Sequence, residues 1–179
     1  MRKKTIFTTE LAEQYNFLNQ TEINKLISSI NKDDLSNHGS LIGNAKSTFN
    51  KSKSYFLDKH KDIKDKIEIH LQQDDLRVSN SWVNVQGEHS RLSYHNHPDS
   101  IYSGAIYLKV DDDSSKIYFE NPDSIYWNYA EPVSVMPVTG MCLMWPSWLK
   151  HGSGQTLNKS SERIVLSFNT SFKGGGVKN

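Results

Sequence analysis

The sequence contains little cysteine and no long apolar run. Its 179 residues include a single cysteine, Cys142, so no disulfide can form within the chain. No stretch approaches the roughly 20 apolar residues of a membrane-spanning helix. The basic N-terminus is not followed by the apolar segment of a secretory signal. We therefore expect a soluble protein of the cytoplasm that has no membrane partner.

An excess of one charge is also missing. Lysine and arginine total 21 and aspartate and glutamate total 20, which gives a formal net charge of +1. This balance provides no electrostatic basis for nucleic acid as the main partner. The length suits one domain with a hydrophobic core, and we treat residues 1–179 as a single domain. The sequence does not indicate an oligomeric state.

The first 77 residues have the pattern of a helical front end. Residues 3–10 are predicted to form a short edge strand, and Thr21 to cap a helix that extends to about residue 31. The polar stretch 37–48 is predicted to be a loop. A second amphipathic helix is expected over residues 50–75, because apolar side chains recur there every three or four positions.

The texture of the sequence changes after Val78. Short β-rich segments separated by turn signals are predicted at 78–86, 90–97, 102–110, 115–120, 132–137, 141–145 and 162–172. The predicted fold class is therefore mainly β with N-terminal helices. Its core, residues 78–172, is expected to be a double-stranded β-helix of the jelly-roll or cupin-like kind. Residues 173–179 are expected to form a flexible tail. The loops 111–115 and 121–132 are expected to form either a substrate lid or a packed excursion over the sheet.

Histidines supply the first functional signal. His95 and His97 are two residues apart in RLSYHNHPDS, so on a strand both imidazoles point to one face and can chelate one ion. Asp99 follows two residues later, and His151 ends the run MCLMWPSWLKH. Two histidines and one carboxylate are the usual ligands of non-heme Fe(II) oxygenases. The pattern leaves two ligand sets open: His97 and His151 with Asp99, or with His95.

Arg163 supplies the second signal, in a predicted strand that reads ERIVLSFN. A guanidinium can bind a carboxylate through two parallel hydrogen bonds, as the far carboxylate of 2-oxoglutarate requires. Ser167 shares the predicted face of Arg163 and could add a hydroxyl. Asn84 and Gln86, on the strand before the histidines, are further candidates for contact with the cosubstrate. Tyr107 and the tryptophans are expected to be core or pocket wall.

Five segments resemble, in order, the blocks of a family of bacterial and marine-phage proteins described as 2-oxoglutarate–Fe(II) oxygenases. They are SWVNVQ, HNHPDSIYSGAIYL, IYFENP, GMCLMWPSWLKHG and ERIVLSFN. The family is related in fold to the prolyl hydroxylases. The resemblance implies a jelly-roll oxygenase, a hydroxylase that uses Fe(II), 2-oxoglutarate and O2, located in the host cytoplasm if a phage encodes it.

The substrate is less defined than the chemistry. By analogy with prolyl hydroxylases, we expect a prolyl residue of a peptide or protein, while small molecules stay possible. Two other classes of protein are considered as alternatives. One is a cupin-like metalloenzyme that does not use 2-oxoglutarate, and the other is a non-catalytic jelly-roll binding module.

Overall fold

The computed structural model describes residues 8–49, 55–122 and 131–174, which are built mainly of β-strands. Two α-helices, α1 (Gln20–Ser28) and α2 (Lys61–His70), and two short 3-10 helices, Lys32–Asp34 and Phe56–Lys59, lie in the first half. The described strands are β1 (Ala12–Gln14), β2 (Leu41–Ile42), β3 (Ala45–Ser47), β4 (Leu76–Gln86), β5 (Arg91–Leu92), β6 (Tyr102–Lys109), β7 (Ile117–Phe119), β8 (Val133–Val135), β9 (Cys142–Pro146), β10 (His151–Gly152) and β11 (Arg163–Phe172).

The strands form antiparallel sheets. The largest has six strands in the order β1-β9-β6-β11-β4-β3, a second has the order β10-β7-β8, and β2 pairs with β5. Each of the seven predicted β-rich segments contains a strand of the structure, which confirms the mainly β class. Neither helix among the described residues is long and apolar enough to cross a membrane.

The central strand β11 separates the hydrophobic core from a cavity. Its side chains alternate between the two faces of the sheet, as those of any extended strand do. Ile164, Leu166 and Phe168 pack with the helices in one hydrophobic cluster. Arg163, Val165 and Ser167 line a cavity on the other face. One face of the sheet therefore packs against the helices, and the other lines the cavity and packs Val165 in a second hydrophobic cluster.

The helices begin and end differently from the prediction. Asn19, not Thr21, is the N-cap of α1: its side chain accepts a hydrogen bond from the Glu22 amide, and the Glu22 carboxylate accepts one from the Asn19 amide. This reciprocal capping box fixes the helix start. The second helix is much shorter than 50–75. His60 leaves helical geometry at φ −131° and ψ 60°, and the chain enters β4 at Leu76.

Other expectations need correction or fall outside the described residues. The predicted loop 37–48 contains β2 and β3, which pair with β5 and β4. Most of the predicted strand 3–10, the start of the predicted second helix, most of the lid 121–132 and residues 175–179 of the tail lie outside the described residues. Within the described residues, the large sheet has β1 (Ala12–Gln14) at one edge and β3 at the other.

Gly104 leaves the space that Phe168 occupies between the sheet and the helices. A Cβ at residue 104 would lie 2.2 Å from Cζ of Phe168. We expect Gly104→Ala to lower the free energy of unfolding by about 1–3 kcal/mol, because the fully buried ring must move. Urea unfolding measures the change. The control is Gly39→Ala, whose Cβ would meet nothing within 4 Å. Equal midpoints for the two variants would contradict this packing.

Candidate metal centre and cosubstrate cavity

A cavity of about 300 Å³ lies against the inner face of the large sheet. Its lining includes alternate residues of β4, β6 and β11, which the strand register places side by side. Residues of β7 and β10, from the second sheet, also contribute. The cavity therefore collects side chains from segments that are far apart in sequence.

Three histidines converge at this cavity. Ring nitrogens of His95, His97 and His151 lie within 4.8 Å of one another. The backbone of His95 exchanges two 3.0 Å hydrogen bonds with that of His151, and the amide of His97 donates to the carbonyl of Ser147 at 2.9 Å. Backbone pairing thus holds the two histidine segments together before any side chain is considered.

Two of these rings are oriented by backbone carbonyls. Nδ1 of His95 lies 2.8 Å from the Ser93 carbonyl, and Nδ1 of His151 lies 2.9 Å from the Leu149 carbonyl. A carbonyl oxygen can only accept, so Nδ1 carries the proton and Nε2 is left with a free lone pair. The indole nitrogen of Trp145 also approaches Nδ1 of His151, at 3.2 Å. The shorter contact to the carbonyl decides the tautomer.

Burial keeps the three imidazoles neutral. It lowers the pKa of His151 to about 3 and that of His97 to about 4, and it also lowers the pKa of His95. Mutual repulsion of the charged forms adds to the lowering for His97 and His151. A neutral imidazole is the form that binds a metal, and imidazole suits Fe(II) among other transition ions.

Asp99 lies apart from this group. It is exposed and follows Pro98 in a turn that is closed by a hydrogen bond from the Ser100 amide to the His97 carbonyl at 3.2 Å. Proline and aspartate are residues that such turns favour. Of the two ligand sets that the sequence leaves open, the structure brings together the one with His95.

The cavity also contains a buried arginine, Arg163, that has no carboxylate partner among the described residues. Arg163 donates from Nη1 to Oε1 of Gln86 and lies over the ring of Tyr107, with 5.3 Å between Cζ and the ring centroid. Burial lowers its pKa, but a guanidinium stays protonated in proteins. The described residues that line the cavity include no aspartate or glutamate. An uncompensated buried charge is costly, so this arrangement fits an acidic ligand.

Three buried polar atoms beside Arg163 have no partner within the described part of the chain. They are Nε of Arg163, Nε2 of Gln86 and the hydroxyl of Tyr107. Each is a hydrogen-bond donor, and burial raises the pKa of Tyr107 to about 12, which keeps its proton in place. A carboxylate offers only acceptors and would satisfy this set.

The remaining sequence candidates line the same cavity. Asn84 donates from Nδ2 to Oγ of Ser167 at 3.3 Å, and both line the cavity with Arg163. Tyr107, which was expected to be core or pocket wall, also lines this cavity. The signal that could have revealed its role is its inward register on β6, where it pairs with Val165, two residues from Arg163.

Solved structures show that the fold is that of 2-oxoglutarate oxygenases. An oxidoreductase of the 2OG-Fe(II) oxygenase family from Burkholderia pseudomallei superposes with a TM-score of 0.68 at 14% identity, over 96% of this chain and 88% of that one. A prolyl-4-hydroxylase from Pseudomonas putida gives 0.64 at 14% identity, with 93% and 94% coverage. The viral collagen prolyl hydroxylase of Paramecium Bursaria Chlorella virus-1 gives 0.62 at 16%, with 89% and 94%.

The family follows from the sequence itself. Residues 80–169 match the family model described as "Putative 2OG-Fe(II) oxygenase", so the chain belongs to this family. Among curated proteins, no sequence matches significantly. The family membership confirms the predicted class of enzyme, with Fe(II) as its metal and 2-oxoglutarate as its cosubstrate, against the cupin-like and non-catalytic alternatives.

The lowered histidine pKa values predict acid sensitivity of the metal-free protein. Between the ordinary histidine pKa of 6.5 and about 4, the unfolded chain binds protons that the folded protein excludes at His97 and His151. Stability therefore falls as the pH drops through this window, by up to about 1.4 kcal/mol per pH unit for each histidine. The free energy of unfolding, measured with urea at several pH values, should fall less steeply with decreasing pH in His151→Asn than in wild type. The exposed control His89→Asn should match wild type. Parallel slopes for wild type and His151→Asn would contradict the depressed pKa.

Proposed function

We propose that His95, His97 and His151 hold the iron, and that Arg163 binds the far carboxylate of 2-oxoglutarate. The observation that carries the proposal is the pairing of two features in one cavity. Three neutral imidazoles converge in it, and it contains a buried cation with unpartnered donors. The donor set fits the metal, and the unpartnered donors fit a dicarboxylic cosubstrate.

Each of these site residues then has a defined task. Carbonyl contacts at Nδ1 orient the rings of His95 and His151 and leave Nε2 of each free as the atom that would hold the iron. Arg163, Tyr107 and Gln86 would donate hydrogen bonds to the far carboxylate of 2-oxoglutarate, and the Asn84–Ser167 pair lines the same cavity. The buried walls exclude water. Bound iron with 2-oxoglutarate supplies the activation of O2.

We infer hydroxylation as the outcome, with a prolyl residue of a peptide or protein as the first candidate substrate. The support is the fold shared with two prolyl hydroxylases. Structures of the same fold also include a Trichoplax adhaerens prolyl hydroxylase with a peptide fragment and HygX from Streptomyces hygroscopicus with hygromycin B, each at a TM-score of 0.62. A small-molecule substrate is therefore the second candidate.

The finer description of the fold is part of the proposal. Two antiparallel sheets that enclose a cavity support a double-stranded β-helix. The cytoplasmic location and the expectation of neither a nucleic-acid nor a membrane partner stay predictions.

The arginine assignment is tested by cosubstrate binding. Anaerobic titration with Fe(II) and then 2-oxoglutarate should produce a weak visible metal-to-ligand charge-transfer band. Arg163→Ala should raise the Kd for 2-oxoglutarate about a hundredfold, because two charge-assisted hydrogen bonds are lost. Tyr107→Phe should raise it about tenfold. The control is Arg77→Ala, an exposed arginine on β4. An unchanged Kd in Arg163→Ala would show that the carboxylate binds elsewhere.

The third metal ligand is tested by a matched pair of variants. His95→Ala should weaken Fe(II) binding at least tenfold and abolish the charge-transfer band, because one of three ligands is lost. Asp99→Ala should leave both within about twofold, because the carboxylate is exposed and apart from the three rings. Anaerobic equilibrium dialysis measures the metal. The reverse result would assign the third ligand to Asp99.

A further inference from the structure

One wall of the cavity comes from outside the region that matches the family model. His38, Ser40 and Phe49 line the cavity, yet they precede residue 80, where the family match begins. They belong to the segment 36–49, which contains β2 and β3. The pairing of β3 with β4 holds this segment against the large sheet. The pairing of β2 with β5 holds it next to the residues that lead into His95 and His97. The segment therefore adds a wall that the family resemblance does not describe.

The hydrogen bonds of His38 define which ring nitrogen carries its proton. The backbone amide of Ser40 donates to Nδ1 of His38 at 3.3 Å, and the Ser40 hydroxyl lies 2.7 Å from the same atom. An amide N–H can only donate, so Nδ1 is the acceptor and the neutral ring has its hydrogen on Nε2. Nε2 has no partner among the described residues. His38 thus presents a free donor at the cavity.

An aromatic row connects His38 to the metal centre. The ring of His38 packs edge-on against Phe49 at 4.8 Å between centroids, and Phe49 packs against Trp82 at 4.9 Å. Trp82 in turn lies 5.8 Å from the ring of His97. Phe49 and Trp82 offer apolar surface that suits a ring or another flat group, next to the His38 donor.

The charges of the cavity disfavour a cationic group in the substrate. Apart from the histidines, its charged residues are Arg163 and the exposed Lys116, and the described lining includes no carboxylate. A cationic group would meet repulsion here and find no acidic partner. A neutral or acidic group that carries an acceptor oxygen would meet no such repulsion.

We infer that the segment 36–49 forms the substrate-recognition wall, on which His38 donates a hydrogen bond from Nε2 to an acyl oxygen of the substrate while Phe49 and Trp82 pack against the adjacent apolar ring. This inference rests on the proposed function, since it places a substrate beside the proposed iron. The chemical class it defines is an uncharged N-acylated ring, such as an acylated prolyl group, rather than a free amine.

The test compares two probes that share one ring. N-acetyl-L-prolinamide is neutral and carries the acyl oxygen, whereas L-prolinamide lacks it and has a protonated ring nitrogen. Ligand-observed NMR with the full-length protein, both metal-free and loaded with Zn(II) and 2-oxoglutarate, should detect binding of the first probe and weaker binding of the second. His38→Ala should weaken binding of the acetyl probe about tenfold, which is the effect of one lost hydrogen bond. His38→Gln should recover part of it through the amide donor.

Controls separate recognition from folding and from cosubstrate binding. His89→Asn changes an exposed histidine of positive φ to a residue that tolerates this conformation, and it should bind the acetyl probe as wild type does. The Kd for 2-oxoglutarate should stay unchanged in His38→Ala. A wild-type protein that binds neither probe, or binds both equally, would overturn the ligand class. An unchanged affinity in His38→Ala, or a parallel loss of 2-oxoglutarate binding, would overturn the assignment of His38.

The same experiments distinguish failure of the inference from failure of the proposed function. If wild type gives no charge-transfer band with Fe(II) and 2-oxoglutarate but its probe binding depends on His38, the recognition wall stands and the proposed iron site is wrong. If the band forms but probe binding does not depend on His38, the proposed iron site stands and the recognition wall is wrong.

Discussion

The backbone pairing of His95 with His151 is the constraint on which the candidate site depends. The two residues are far apart in sequence, and no helix or long strand contains both. Two 3.0 Å hydrogen bonds between their backbones join the segments, and contacts from Nδ1 to carbonyl oxygens then set the direction of each ring. A metal-binding geometry therefore arises largely from satisfied backbone groups. Gly152 permits this approach, because a Cβ there would lie 2.8 Å from the Leu92 carbonyl.

The electrostatics of the cavity follow from the absence of acidic side chains in its described lining. Three neutral imidazoles contribute no charge to a bound divalent metal, so its charge would be balanced mainly by the cosubstrate. Arg163 likewise has no carboxylate near it in the described chain. Both positive centres thus depend on one dianion. This dependence predicts that binding of metal and cosubstrate is cooperative, whereas a triad with a carboxylate would balance part of the metal charge alone.

The site residues that could be predicted from the sequence are those whose positions follow from the alternation of side chains along a strand. Alternation along ERIVLSFN placed Arg163 and Ser167 on one face, and the structure has both at the cavity. Spacing of two placed His95 and His97 together, but it could not choose between His95 and Asp99. That choice depends on the chain path after the short strand β5, which ends at Leu92: His95 pairs with the His151 backbone, and Asp99 lies in the turn that follows His97. The roles proposed for Tyr107 and His38 depend on cross-strand register and on a loop that folds against a distant strand. Neither leaves a periodic signal in the sequence.

The position of the segment 36–49 separates the proposed recognition of the substrate from the proposed binding of metal and cosubstrate. Arg163 lies on the ten-residue central strand β11, and backbone hydrogen bonds hold His95 to His151 and His97 to Ser147. His38 and Phe49 lie on a segment held by short strands of two or three residues, which contributes little to either core cluster. Changes in that segment would alter the wall of the cavity while leaving the metal and cosubstrate positions in place. Substrate preference could therefore vary in this fold without loss of its chemistry, because the residues proposed to recognise the substrate are not those proposed to hold iron and 2-oxoglutarate.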